Sequence, residues 1–294
     1  MPTIQENKAK WGNRESWTDK GEDWSNGWGG SSAQWWWAIY PRIHRFVPAE
    51  TILEIACGYG RWSAFLKDFA KRLVLVDLVE ECVEACKERF SSSSNIEYFI
   101  NDGKSLDMVA DGSVDFIFSF DSLVHVEEDV IKSYLNAISM KLKKNGVAFI
   151  HHSNAGHYSG FLWGLDRYAN SKQFKRSWGT TADERSQKAP GAKGDFLGTL
   201  YNATSPILNA VGYEITPARA FSVTYEKISQ LAEESELCCM HQEIINWSGW
   251  KLIDCMSTVT PKGSVWERPN TVVKNRDFVR TRKKVRNLSV LYER

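Results

Sequence analysis

Residues 51–60 read TILEIACGYG, and they run straight into RWSAFLKDFAK. A short apolar run rich in branched side chains, closed by Gly58-Tyr59-Gly60, predicts a buried strand, a tight turn and then a helix. Glycine tolerates such a turn and lets the backbone approach a ligand, while the opening turn of a helix presents free N–H groups. Taken alone, the motif is a weak dinucleotide fingerprint. A nicotinamide site asks for a third glycine where Ser63 stands and has no use for a carboxylate inside the strand at Glu54.

Reading outward, strand and helix patterns alternate. RLVLVD, NIEYFI, VDFIFSF and GVAFIHH read as buried strands, with VEECVEACKERF and EEDVIKSYLNAISMKLKK as amphipathic helices between them. LCCMHQEIINW and WKLIDCMSTVT follow a further helix, SVTYEKISQLAEES, and form an antiparallel hairpin about Ser248-Gly249. The expectation is an α/β, doubly wound, Rossmann-like sheet of seven strands whose last strand is antiparallel.

Three segments stand apart from that pattern. Eight of the 13 tryptophans precede residue 63, among them Trp11, Trp17, Trp24, Trp28 and Trp35 to Trp37. Residues 1–48 are therefore expected to be an aromatic arm and helix folded onto the core or a ligand, ahead of a main domain at 49–294. The irregular stretch 155–221 reads as an inserted lid. The tail 274–294 carries Lys274, Arg276, Arg280, Arg282, Lys283, Lys284 and Arg286, and reads as a basic helix with Phe278, Val285, Leu288 and Tyr292 on one stripe.

Carboxylates recur where successive strands end. Asp77 closes the second strand 19 positions after Gly58, where it can accept from ribose hydroxyls; Asp102-Gly103 follows the third, and Ser119-Phe120-Asp121 closes the fourth. E-x-A-C-G-x-G, the acid at Asp77, Asp102-Gly103 and the fourth-strand motif together resemble the class I S-adenosylmethionine-dependent methyltransferases over roughly residues 50–154. The resemblance implies S-adenosylmethionine as cofactor, with Glu54 and the Gly58–Gly60 loop at its methionine part, Asp77 at the ribose and Asp102 at the adenine. Ala56, Leu78, Gly103, Ser119 and Phe120 flank these positions and are expected at the same site, as are Trp24 and Ser25 of the arm. The tryptophan-rich start, SFDSLVHVE, HHSNA and QEIINW also resemble bacterial methyltransferases of polysaccharide biosynthesis, which implies a sugar or glycan hydroxyl as acceptor.

An oxygen acceptor needs a base, and neutral imidazole suits that role. His125, four residues past Asp121, and His151 and His152 at the end of the fifth strand are the candidates. His152 is preferred, and Asp121 is placed to orient His125. Arg219 is a candidate grip for an acceptor anion.

Composition narrows the alternatives. A net charge of +1 gives no general affinity for nucleic acid, and the motif that methylates flipped bases is missing after the fourth strand. A peripheral contact through the basic tail stays open. No apolar run nears the ~20 residues of a membrane span, and the polar opening lacks the order of a secretion signal, so a cytoplasmic chain is expected. The six cysteines form no CxxC pair and read as reduced and structural, with no metal site expected. The competing readings are a small-molecule O- or N-methyltransferase of secondary metabolism and a nucleotide-binding scaffold without turnover.

Overall fold

The computed structural model describes residues 3–13, 17–158, 219–247 and 249–292. Most of the expected insertion, residues 159–218, lies outside them. Five strands are laid down in the expected alternation: β1 (Ala49–Ile55), β2 (Ala70–Asp77), β3 (Ile96–Ile100), β4 (Val114–Ser119) and β5 (Leu142–Ser153). β6 (Leu237–Ile245), β7 (Asp254–Pro261) and β8 (Thr271–Asn275) complete one sheet in the order β3-β2-β1-β4-β5-β7-β6-β8. β7 runs antiparallel to both β5 and β6, and the other neighbours pair in parallel.

The sheet thus has eight strands where seven were expected. β8 occupies the edge beside β6, and its two apolar residues, Val272 and Val273, are adjacent and exposed, which left no alternating pattern to read. The basic tail is correspondingly shorter as a helix, from Phe278 to Tyr292. Phe278 and Val285 are buried as expected, but Leu288 is exposed. The helix after β1 is also shorter than the sequence implied, Ser63–Leu66, because Ala70 already pairs with Ala49 in the ladder.

Alternate strand residues feed two separate cores, the signature of a sheet covered on both faces. Leu53, Val74, Ile117 and Ala148 point to one face, under a helix at Glu128–Lys141 and another at Tyr225–Glu234. Ile52, Leu73, Leu75, Phe116, Phe118 and Phe149 point to the other. There they meet the N-terminal segment and the C-terminal helix: Trp28 packs edge-on against Phe278, and Trp35 stacks on Phe65 at 4.9 Å.

Trp35 lies in a wide turn. Residues Trp35–Ile39 form a π-helical turn between helices at Ser31–Gln34 and Tyr40–Ile43, with the Tyr40 N–H donating to the Trp35 carbonyl. Pro41 follows, and a residue without an N–H accommodates the irregular ladder there. Of the three consecutive tryptophans, Trp35 is fully buried while Trp36 and Trp37 are exposed. Replacing Trp35 by alanine removes a large buried ring, and we expect a loss of about 3–5 kcal/mol, read from the denaturant midpoint.

Candidate functional site

The site grows from the turn after β1. Ala56, Gly58 and Gly60 all have positive φ, at 59°, 55° and 80°. For Ala56 that left-handed backbone is strained, and such strain persists only where neighbours impose it. Asp77, at the end of β2, is one of those neighbours. Its Oδ2 accepts from the Gly58 N–H at 2.8 Å and its Oδ1 from the Val79 N–H at 2.9 Å. Burial pushes the Asp77 carboxyl up to about 6, against the pull of the Gly58, Val79 and Leu78 N–H groups.

Around this turn lies a cavity of about 760 Å³, part of it open to solvent. Of the sequence-predicted residues, Trp24, Ala56, Gly58, Asp77, Leu78, Gly103, Asp121 and His125 line it. The others do not. Glu54 sits beneath the turn, 2% exposed, accepting from the Ser63 hydroxyl at 2.5 Å. Gly60 packs its backbone against Phe90, leaving no room for a side chain. Ser119 donates to the Ile55 carbonyl from a fully buried position, and Phe120 packs on His151 at 4.6 Å. Asp102 is exposed, its carboxylate accepting from the Lys104 and Ser105 N–H groups of its own loop, so its neighbour Gly103 reaches the cavity wall. Ser25 is buried and accepts from Arg61.

The preferred base is displaced in the same way. His152 is fully buried, its Nδ1 2.8 Å from the Ser153 carbonyl and its Nε2 2.7 Å from the Ser257 hydroxyl, and burial lowers its pKa to about 4. Strand alternation sends its ring to the sheet face opposite that of His151, where the Ser257 hydroxyl of β7 meets it. His125, at the end of a short 3-10 turn (Leu123–His125), stands on the cavity wall, 6.2 Å from the Trp11 ring.

Three features escaped sequence reasoning. The first is the reach of the arm. A helix at Ile4–Trp11 brings Ile4, Asn7 and Trp11 to the wall, and Trp17 and Trp24 pack beside them with ring centroids 4.9 Å apart. The second is Arg61, which is buried and joins the arm to the end of β4. It donates to Ser25 at 3.1 Å and to Asp121 Oδ2 at 3.0 Å, between the rings of Trp62 and Trp24.

The third is a buried ionic cluster under Trp247. Arg219 holds Asp254 through two hydrogen bonds of 2.7 and 2.9 Å, and His151 Nε2 lies 3.3 Å from the same carboxylate. Burial alone would raise the Asp254 carboxyl, but Arg219 and His151 outweigh it and hold it well below the usual range. His151 Nδ1 accepts from the Asp121 N–H at 3.2 Å, so the cluster ends on a residue whose φ is 65°. Arg219 is therefore committed to Asp254. Among the described residues no three His, Cys, Asp or Glu side chains are grouped to hold a metal ion.

Residues 52–146 match the family model described as a methyltransferase domain. The fold is that of the S-adenosylmethionine-dependent methyltransferase structure from Methanosarcina mazei, at a TM-score of 0.50 and 15% identity, covering 76% of this chain and 97% of that one. An S-adenosylmethionine-dependent methyltransferase from Clostridium acetobutylicum aligns at a TM-score of 0.49 and 17% identity, over 81% and 92% of the two chains. A curated relative, phosphoethanolamine N-methyltransferase 1 of Triticum aestivum, is 26% identical over 125 residues, which is 41% of this chain and only 25% of that protein. The chain thus carries a methyltransferase domain at residues 52–146, on a fold that it shares with methyltransferases whose cofactor is S-adenosylmethionine. The residues fit the group: a buried carboxylate at Asp77 and a backbone turn at Gly58 share the cavity with Gly103.

Three outcomes follow. Asp77→Asn should weaken S-adenosylhomocysteine binding in calorimetry by about 10- to 100-fold, the effect of losing about 1.5–3 kcal/mol of charged hydrogen bonding. Wild-type affinity should fall as the pH drops through about 6, since protonation removes the carboxylate acceptor. Glu54 is likewise raised: burial pushes it up to about 8 against the Ser63 bond. The folded chain keeps that proton where the unfolded chain has released it, so the contribution of Glu54 to stability is full at low pH and is lost as pH rises through about 8. The melting temperature of Glu54→Gln, relative to wild type, should therefore rise between about pH 5 and about pH 9.

Proposed function

We propose that the protein is an S-adenosylmethionine-dependent methyltransferase that methylates a hydroxyl of a small sugar or glycan acceptor, with His125 as its base. The observation that carries this reading is the sharing of one cavity by donor-type and acceptor-type groups. Asp77, Gly58 and Gly103 line one part of its wall; Asp121, Ser122 and His125 belong to the segment after β4.

When bound, S-adenosylmethionine supplies an electrophilic methyl group on a positively charged sulfur. Asp77 would accept hydrogen bonds from its ribose, and the Ala56–Gly58 backbone would hold its amino-acid end. The faces of Trp11, Trp17 and Trp24 favour a cation and exclude water from it. Their rings also suit the apolar face of a sugar. His125 takes up the proton that an acceptor hydroxyl gives up, and Arg61 with His151 fixes the Asp121 segment beside it. Most of the rate then comes from holding the acceptor in line with the donor. The sequence resemblance to polysaccharide methyltransferases supports the sugar.

An amine acceptor is the second reading. The wheat relative is named for one, and the same ring cluster would receive an ammonium product.

Binding is tested first, by titrating S-adenosylmethionine, S-adenosylhomocysteine and NAD; a preference for NAD sinks the assignment. Nucleotide sugars, glycans and amines are then screened for methyl transfer. On the acceptor so found, His125→Ala should lower kcat by about 100-fold or more while cofactor affinity holds. His152→Ala should keep its turnover and lose about 1–3 kcal/mol of stability, because Ser257 loses a buried partner. Full activity of His125→Ala on a hydroxyl acceptor removes His125 as the base, and on an amine it favours the second reading.

A further inference from the structure

A second cleft opens at the same edge of the sheet. β5, β6 and β8 are parallel to the strands that carry the donor site, so Asn154, Ile244 and Lys274, at or just past their carboxyl ends, face the same crevice edge. The cleft spans about 540 Å³, part of it open to solvent. Its floor is apolar, made by the buried Ile244 and Leu252. Its walls are aromatic: Tyr158, Tyr225 and Trp250. Lys274 and Arg276 complete the lining.

The frame is fixed by hydrogen bonds. Asn154 donates to the Leu252 carbonyl at 2.7 Å and accepts from the Tyr225 N–H at 2.9 Å, while the Leu252 N–H donates to the Tyr158 hydroxyl. Asn246 donates to the Arg276 carbonyl at 2.7 Å, and Lys274 is in register with Ile244 across the β6–β8 ladder. On the cleft wall, His157 already has an acid nearby, Glu226 at 3.8 Å. Lys274 and Arg276 have no ion-pair partner among the described residues. Two such cations beside an apolar floor and three aromatic faces, one of them a tryptophan that is 53% exposed, form a surface suited to a ligand that supplies the missing charge and a ring.

We propose that this cleft binds a small ring-bearing anion, its phosphate or carboxylate held by Lys274 and Arg276 and its ring laid on Trp250, Tyr158 and Tyr225. That this anion is the methyl acceptor, or the far end of it, rests on the function proposed above; the binding site does not.

The test titrates glucose 6-phosphate, glucuronate and phenyl phosphate into the full chain, against glucose, phenol and inorganic phosphate. The charged rings should bind and their neutral counterparts should not, and the ranking of phosphate over carboxylate identifies the anion. Lys274→Ala with Arg276→Ala should weaken charged-ring binding by about 10-fold or more, and Trp250→Ala by about 5-fold, whereas Lys283→Ala with Lys284→Ala on the C-terminal helix should change nothing. Matching melting temperatures show that the variants fold. Equal binding to the Lys274/Arg276 variant, no binding of any charged ring, or inorganic phosphate binding as tightly as its ring-bearing forms would overturn the proposal. S-adenosylhomocysteine is titrated in parallel. Its binding without charged-ring binding sinks the cleft alone, and the reverse sinks only the methyltransferase reading.

Discussion

The hydrogen bond from the Gly58 N–H to Asp77 Oδ2 ties the end of β1 to the end of β2, and the geometry of the donor site depends on it. Three residues in five adopt left-handed backbone there; the two glycines do so without strain, but Ala56 would relax unless its surroundings forbade it. Asp77 holds the turn from one side. From the other, the Trp17 ring stacks on Tyr59 at 4.5 Å and lies so close to Gly58 that any side chain there would collide with it. Glu54 and Ser63 fill the space beneath. The carboxylate that lines the cavity is thus also the one that shapes its wall, and the two N–H groups it accepts from offset the cost of its burial.

The other half of the sheet edge is organised by a different constraint. Arg219 and Asp254 are both withdrawn from water, and a buried charge is acceptable only when paired and fully hydrogen-bonded. Their pairing fixes His151, and His151 fixes the backbone of Asp121, where β4 runs out into the cavity. Arg61 reaches the same residue from the loop after β1. Asp121 is where the two halves meet.

The parts of this architecture that repeat were readable from the chain. Apolar runs such as VDFIFSF read as strands covered on both faces, and of the carboxylates near strand ends Asp77 and Asp121 line the cavity. Period-two alternation shows that His151 and His152 face opposite ways but not which way; the fold buries the His152 ring against Ser257, away from the cavity wall where His125 stands. Glu54 and Asp102 carry the right chemistry at the right positions, yet each spends its carboxylate locally, on Ser63 and on the Lys104–Ser105 loop. β8 was invisible because an exposed edge strand has no apolar pattern. Arg61 and the Arg219–Asp254 pair were invisible because ion pairs between residues 60 and 35 positions apart leave no periodic trace.

Trp11, Trp17 and Trp24 lie with their ring centroids 4.9–5.5 Å apart on the wall of the donor cavity. Indoles so close and so tilted share their excited states, and they do so only while the chain near residue 20 stays folded against the turn at Gly58. Withdrawal of the arm should therefore change the dichroism that these three rings add to that of the chain's other tryptophans, without any label.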